Sequence, residues 1–121
     1  MKTVILDTNA LMMPFQFGVD PEAEIARIFG VARIVTLSSM LGELQRLAEK
    51  RPEARAALRY AERFDALNTE KGGDDSLIEM AEKLEAAVVT NDRGLRKRLR
   101  ERGITVLYMR EKKGLAVDGV V

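Results

Sequence analysis

The sequence predicts an α/β domain, a parallel sheet covered on both faces by helices. Three observations lead there. Short apolar runs of strand length, such as Val4-Ile5-Leu6 and Ala87-Val88-Val89, lack the polar/apolar alternation of a half-exposed strand, as expected of strands buried on both faces. Helical patterns separate these runs, and alternating strands and helices imply right-handed crossovers within a parallel sheet. No linker, internal repeat or low-complexity tract interrupts the 121 residues, so residues 1–121 read as one domain, long enough to bury a core without staples.

The elements follow in order. Residues 3–6 form the first strand. Asp20-Pro21 is a helix start, a capping residue followed by proline at the first helical position, and the helix runs to about Phe29. Residues 33–37 read as the second strand, after which Ser38 or Ser39 caps a helix ending near Glu49. Pro52 opens another helix, with Leu58, Ala61, Phe64 and Leu67 in register on its apolar side. Gly72-Gly73 breaks that pattern, and Asp74 reads as the N-cap of a helix to about Glu85. Residues 87–90 form the third strand, 93–102 a helix stopped by Gly103, and 104–109 the fourth strand. Residues 115–121 carry a weak strand signal, giving a sheet of four to five strands.

Composition excludes whole classes of chemistry. Without cysteine there are no disulfides, zinc–thiolate sites or thiol nucleophiles. Without histidine the usual general base and the Ser-His-Asp relay are also absent. Catalysis by this chain must use carboxylates, Lys, Arg, hydroxyls or a bound metal. The N-terminus reaches Asp7 too soon for a signal peptide, and no apolar stretch approaches membrane-spanning length. A soluble cytoplasmic protein without a membrane partner is expected.

The carboxylates carry the functional signal. Asp7 and Asp92 each follow an apolar run, and the carboxyl ends of strands in open α/β sheets face the crevice where ligands bind. Either alone is a capping or turn residue; two strand ends with the same chemistry point to a cleft holding a hard divalent cation. Glu43 shares a helix face with Met40 and Leu47 and so points partly inward, wanting a metal or a partner, with Arg46 and Lys50 as candidate partners. Asp74 and Asp75 open a helix after two glycines; one is a cap, and Asp75 shares a face with Ile78. Thr8 and Asn9 stand beside Asp7, and Thr90 and Asn91 beside Asp92, in supporting positions. No phosphate-cradling motif is present.

Charge is unevenly spread. Residues 93–113 hold nine Lys or Arg against two Glu, a local +7 in a chain of net charge +1. Arg93, Arg96, Lys97, Arg98 and Arg100 lie on one helix beside Asp92. A basic stripe next to an acidic crevice suits a polyanion bound by its phosphates, with a metal at the reacting one, and also reads as a solvated face with cations near a helix C-terminus.

Together, Ile5-Leu6-Asp7-Thr8-Asn9, Leu41-Gly42-Glu43-Leu44, Gly73-Asp74-Asp75-Ser76-Leu77-Ile78 and Val89-Thr90-Asn91-Asp92-Arg93-Gly94-Leu95 resemble the PIN-domain family of nucleases, from Val4 to about Met109. The chain looks most like archaeal members akin to the ribosomal-RNA-processing branch, and is also similar to VapC toxins. The resemblance implies a three-layer α/β/α domain and a four-acid, Mg²⁺- or Mn²⁺-dependent endoribonuclease leaving 5′-phosphate ends. Its acids fall on Asp7, Glu43, Asp75 and Asp92, with Asp74 adjacent to the third and able to replace it. RNA is the implied substrate, and an antitoxin or ribosome-assembly factors the implied partners; a homodimer fits the base rate for soluble proteins. Some members carry a further acid shortly after the fourth, where this chain has Arg93 and Gly94. Two rival readings are a non-catalytic RNA-binding scaffold and an aspartate phosphatase, the latter opposed by Asn9 where a second Asp belongs.

Overall fold

A computed structural model describes residues 1–121. Twelve elements alternate along the chain: β1 (Lys2–Leu6), α1 (Thr8–Phe17), α2 (Pro21–Phe29), β2 (Ala32–Leu37), α3 (Ser38–Ala48), α4 (Pro52–Ala61), β3 (Asp65–Leu67), α5 (Gly73–Leu84), β4 (Ala87–Val89), α6 (Arg93–Glu101), β5 (Val106–Arg110) and β6 (Gly114–Asp118). The strands form one sheet in the order β3-β2-β1-β4-β5-β6. β1 to β5 are parallel, and β6 returns antiparallel along β5.

The sheet is a middle layer because its strands bury both faces. Val4, Leu6, Val89 and Leu107 pack with Leu11, Met13, Ile25 and Ala57 of α1, α2 and α4. Ile5, Val35, Val88 and Val106 face the other way, onto Met40, Leu77, Leu95 and Leu99 of α3, α5 and α6. Successive strand residues point to opposite faces, so a continuous apolar run feeds two cores. That is the three-layer α/β/α arrangement expected.

The sheet has six strands rather than four to five. β3 lies where the helical pattern was expected to continue to Leu67: α4 ends at Ala61, and Arg63 and Phe64 donate back to Tyr60 and Ala61 in tight turns. Phe64 still packs edge-on against Tyr60, 5.2 Å between centroids, so the apolar periodicity outlasts the helix. β6 pairs through a turn in which Glu111 and Lys112 both have φ of +56°. Hairpins favour such mirror-image turns, which normally advertise themselves with Asn or Gly. α1 had no sequence counterpart. It is short, contains Pro14 and is buried along Ala10 to Met13, so no polar stripe marks its period.

Two expected caps are displaced. α3 is preceded by Leu37 with no side-chain cap; the Ser38 hydroxyl instead accepts from the Thr69 N–H at 3.0 Å. That bond holds the loop after β3 against the start of α3. α5 begins at Gly73 behind an N-cap at Gly72 with no side-chain cap, so Asp74 lies inside the first turn and does not cap the helix. Asp20 caps α2 as expected, accepting from Glu22 and Ala23.

Candidate active site

β1 and β4 are neighbours, and their carboxyl ends are stitched together where the Asp7 N–H donates to the Val89 carbonyl at 3.3 Å. Each strand runs straight into a helix whose N-cap is an aspartate. Asp7 Oδ1 accepts from Ala10 N at 2.8 Å, and Asp92 Oδ1 from Leu95 N at 3.0 Å. The capping reading of both residues is therefore right, and it does not compete with the functional one. A capped aspartate is a carboxylate locked in direction, and both directions converge on one cleft.

That cleft, about 210 Å³, is lined by Asp7, Glu43, Asp74 and Asp92, with Thr8 and Asn9 on its wall. α3 follows directly on β2, so Glu43 is carried over the strand ends, where Thr8 Oγ1 donates to its Oε2 at 3.0 Å. Neither Arg46 nor Lys50 pairs with Glu43.

Of the adjacent pair Asp74 and Asp75, one reaches the cleft. Asp74 lines the cleft and Asp75 does not. The Asp75 side chain is 82 % exposed and turned away to the Arg98 guanidinium, which also approaches Asp74 Oδ2 at 3.9 Å. α5 starts at Gly73, two residues earlier than expected, and the inward direction falls on Asp74; consecutive helical residues differ by about 100°. Asp75 is held well below the usual carboxylate range by the hydrogen bond from Arg98 and its charge.

Asp7 is the electrostatic centre. It is only 6 % exposed, has no cationic partner in the protein, and burial pushes its carboxyl up to about 7. The Thr90 hydroxyl and the Ala10 N–H oppose the shift, while the Asp92 and Glu43 carboxylates add to it. Thr90 also accepts from Asp92 N at 3.1 Å, so it serves both strand-end acids. Asn91 turns outward, its Oδ1 accepting from Met109 N at 2.8 Å, and ties β5 to the end of β4.

The donor set is all oxygen, which suits a hard cation. No three acidic side chains converge closely enough to cage an ion by themselves. Mg²⁺ does not need such a cage, since it keeps several waters and takes one or two carboxylates directly. A buried acid without a cation, beside two further acids, fits that group.

The basic stripe of α6 divides in two. Arg96 donates to Asp118 at 2.8 Å and lies over the Tyr108 ring at 3.6 Å. Arg100 reaches the same aspartate at 3.1 Å, and Arg98 is held by Asp75. These three spend their charge within the fold, whereas Arg93 and Lys97 form no ion pair. Residue spacing alone shows the stripe but not its partners, which come from α5 and β6.

Comparison with known proteins places the fold in a family. Residues 4–112 match the family described as PIN like domain. Ribonuclease VapC9 of Archaeoglobus fulgidus is 35% identical, over 97% of this chain and 90% of its own length. Ribonuclease VapC4 of Methanocaldococcus jannaschii is 29% identical, over 100% of both. Among solved structures, that of the PIN domain endonuclease Utp24 superposes with a TM-score of 0.78 at 28% identity, covering 98% of this chain and 96% of that one. A domain of a functionally unknown protein from M. jannaschii shares the fold at 14% identity and a TM-score of 0.65, covering 100% and 96%. With its family match spanning most of the chain and a close relative along nearly its whole length, the protein belongs to the PIN domain family.

Proposed function

We propose that the protein is a metal-dependent endoribonuclease of the VapC type, with its acids in the cleft at the ends of β1 and β4. The observation that carries this reading is Asp7, a buried carboxylate without a protein cation that faces Asp92 and Glu43. The two relatives named ribonucleases and the likeness to a PIN domain endonuclease support it.

Asp7 and Asp92 are the acids to hold Mg²⁺ or Mn²⁺, with Glu43 and Asp74 as direct or water-mediated ligands. Such a cation, when bound, supplies an acidified water and charge neutralisation at the scissile phosphate. The chain's own contribution is positioning. The Ala10 and Leu95 N–H groups fix the two strand-end carboxylates, and Thr8 holds Glu43 across the cleft. Ionised Asp7 is costly without a counter-ion and favourable with one, so the buried acid is poised for a cation rather than for structural pairing. On α6, Arg93 and Lys97 are the cations left unpaired for RNA phosphates.

Two cellular roles follow from the resemblance, a toxin neutralised by an antitoxin and an RNA-processing enzyme acting with ribosome-assembly factors. The toxin role is favoured by the 35% identity to Ribonuclease VapC9 over nearly the whole chain. Cleavage of labelled single-stranded and structured RNAs with Mn²⁺, Mg²⁺ or EDTA tests the activity. Metal-dependent cutting with 5′-phosphate ends, lost in Asp7→Asn and Asp92→Asn, is expected. Cyclic 2′,3′-phosphate products, or activity surviving both substitutions, would refute it; binding without cutting by a metal-loaded protein would favour a scaffold.

A further inference from the structure

Arg46 is the one basic residue on the wall of the acidic cleft. It follows Glu43 by three positions on α3, a spacing that puts the two on one side of the helix and commonly yields an ion pair. Here no pair forms. Glu43 is engaged by the Thr8 hydroxyl at 3.0 Å, and the Arg46 guanidinium is absent from every ion pair of the fold.

Its direction has a local cause. Helical side chains lean towards the N-terminus, and the N-terminus of α3 issues directly from the carboxyl end of β2. The guanidinium therefore lies back over Gly42, with Nη1 4.0 Å from the place a Cβ would occupy there. That direction sets the charge on the wall of the cleft.

A cleft lined by four acids repels a polyanion, and one divalent cation offsets only part of that charge. An unpaired arginine within the cleft supplies the missing attraction, and its planar fork matches two phosphate oxygens at once. We propose that Arg46 is the phosphate-anchoring residue of the cleft, gripping an RNA backbone phosphate next to the scissile one; this rests on the ribonuclease reading above. It acts on substrate binding and register, separately from the carboxylates.

The test compares wild type, Arg46→Gln and Arg46→Lys. RNA affinity is measured by fluorescence anisotropy of a labelled single-stranded oligonucleotide across a salt series, beside cleavage kinetics and Mn²⁺ binding by calorimetry. Arg46→Gln is expected to weaken RNA binding and raise KM about tenfold, with Mn²⁺ affinity unchanged. The slope of log K against log salt should fall by about 0.7, the loss of one phosphate contact on a single strand. Arg46→Lys should restore the slope but only part of the affinity, because an ammonium lacks the fork. Unchanged RNA affinity and slope in Arg46→Gln would overturn the proposal, as would a parallel loss of Mn²⁺ binding, which would make Arg46 a support of the acids. A wild type that binds RNA but never cuts would refute the nuclease reading alone, since the binding comparison still decides the role of Arg46.

Discussion

Replacing Asp7 with Asn should stabilise the metal-free protein by an amount that grows as pH rises from about 4 to 7 and then levels off. Burial moves the Asp7 carboxyl from its ordinary 3.8 to about 7. A folded-state value above the unfolded one means that the folded chain binds the proton more tightly. The associated stability is fully present below about pH 4 and is lost as pH rises through 7. A shift of about three units is worth about 4 kcal/mol at 1.36 kcal/mol per unit. This is a ceiling, because relaxation and water penetration reduce burial penalties. Asparagine keeps the shape and can still accept from Ala10 N as an N-cap, so it removes the charge and little else. At about 4 °C per kcal/mol for a chain of this size, the metal-free variant should melt several degrees above wild type at pH 8. At pH 4.5 the gap should shrink to about a quarter of its value at pH 8. Thermal denaturation in EDTA across that range is the assay. A variant less stable than wild type at pH 8, or a difference that ignores pH, would refute the argument.

Millimolar Mn²⁺ or Mg²⁺ should raise the melting temperature of wild type by mass action, by about 1.4 kcal/mol at ten times the dissociation constant. The gain should grow as pH passes 7, because binding competes with the proton on Asp7; a flat response would count against the metal site. Thr8→Val releases Glu43 from its 3.0 Å hydrogen bond and should lower kcat several-fold while shifting stability by about 1 kcal/mol or less, checked by kinetics and urea unfolding. Charge reversal at Arg93 or Lys97 should weaken RNA binding and flatten its salt dependence more than reversal at Arg98, which is already spent on Asp75. Equal effects in a salt titration would mean that the ion pair opens for RNA.

The parts of the site that sequence makes legible sit on regular geometry. Asp7 and Asp92 stand out because buried parallel strands are unbroken apolar runs, so the first acid after each marks a strand end. Glu43 is readable from the apolar residues on its own face. The choice between Asp74 and Asp75 is not, because it turns on whether the helix begins at Gly73 or two residues later, and two adjacent glycines carry no periodic signal that would fix the start. Arg46 was visible only as a candidate partner for Glu43, and its freedom depends on Thr8 taking that partner first. Two elements are missed for different reasons: α1 is too buried to show a stripe, and β3 inherits the period of the preceding helix; β6 shows only weakly, beyond a turn whose central residues are neither glycine nor asparagine.

The position of β1 has a bearing on synthesis. The first strand made lies in the middle of the sheet, and one of its neighbours, β4, is among the last elements translated. Asp7 meets its Val89 partner only after more than eighty intervening residues have appeared. A nascent chain can lay β2 and β3 beside β1, but it cannot assemble the cleft, since Asp92 does not yet exist. A chain ended before Asp92 therefore carries Asp7 and Glu43 without their counterpart, and the acidic cleft closes only when the segment through Asp92 is in place.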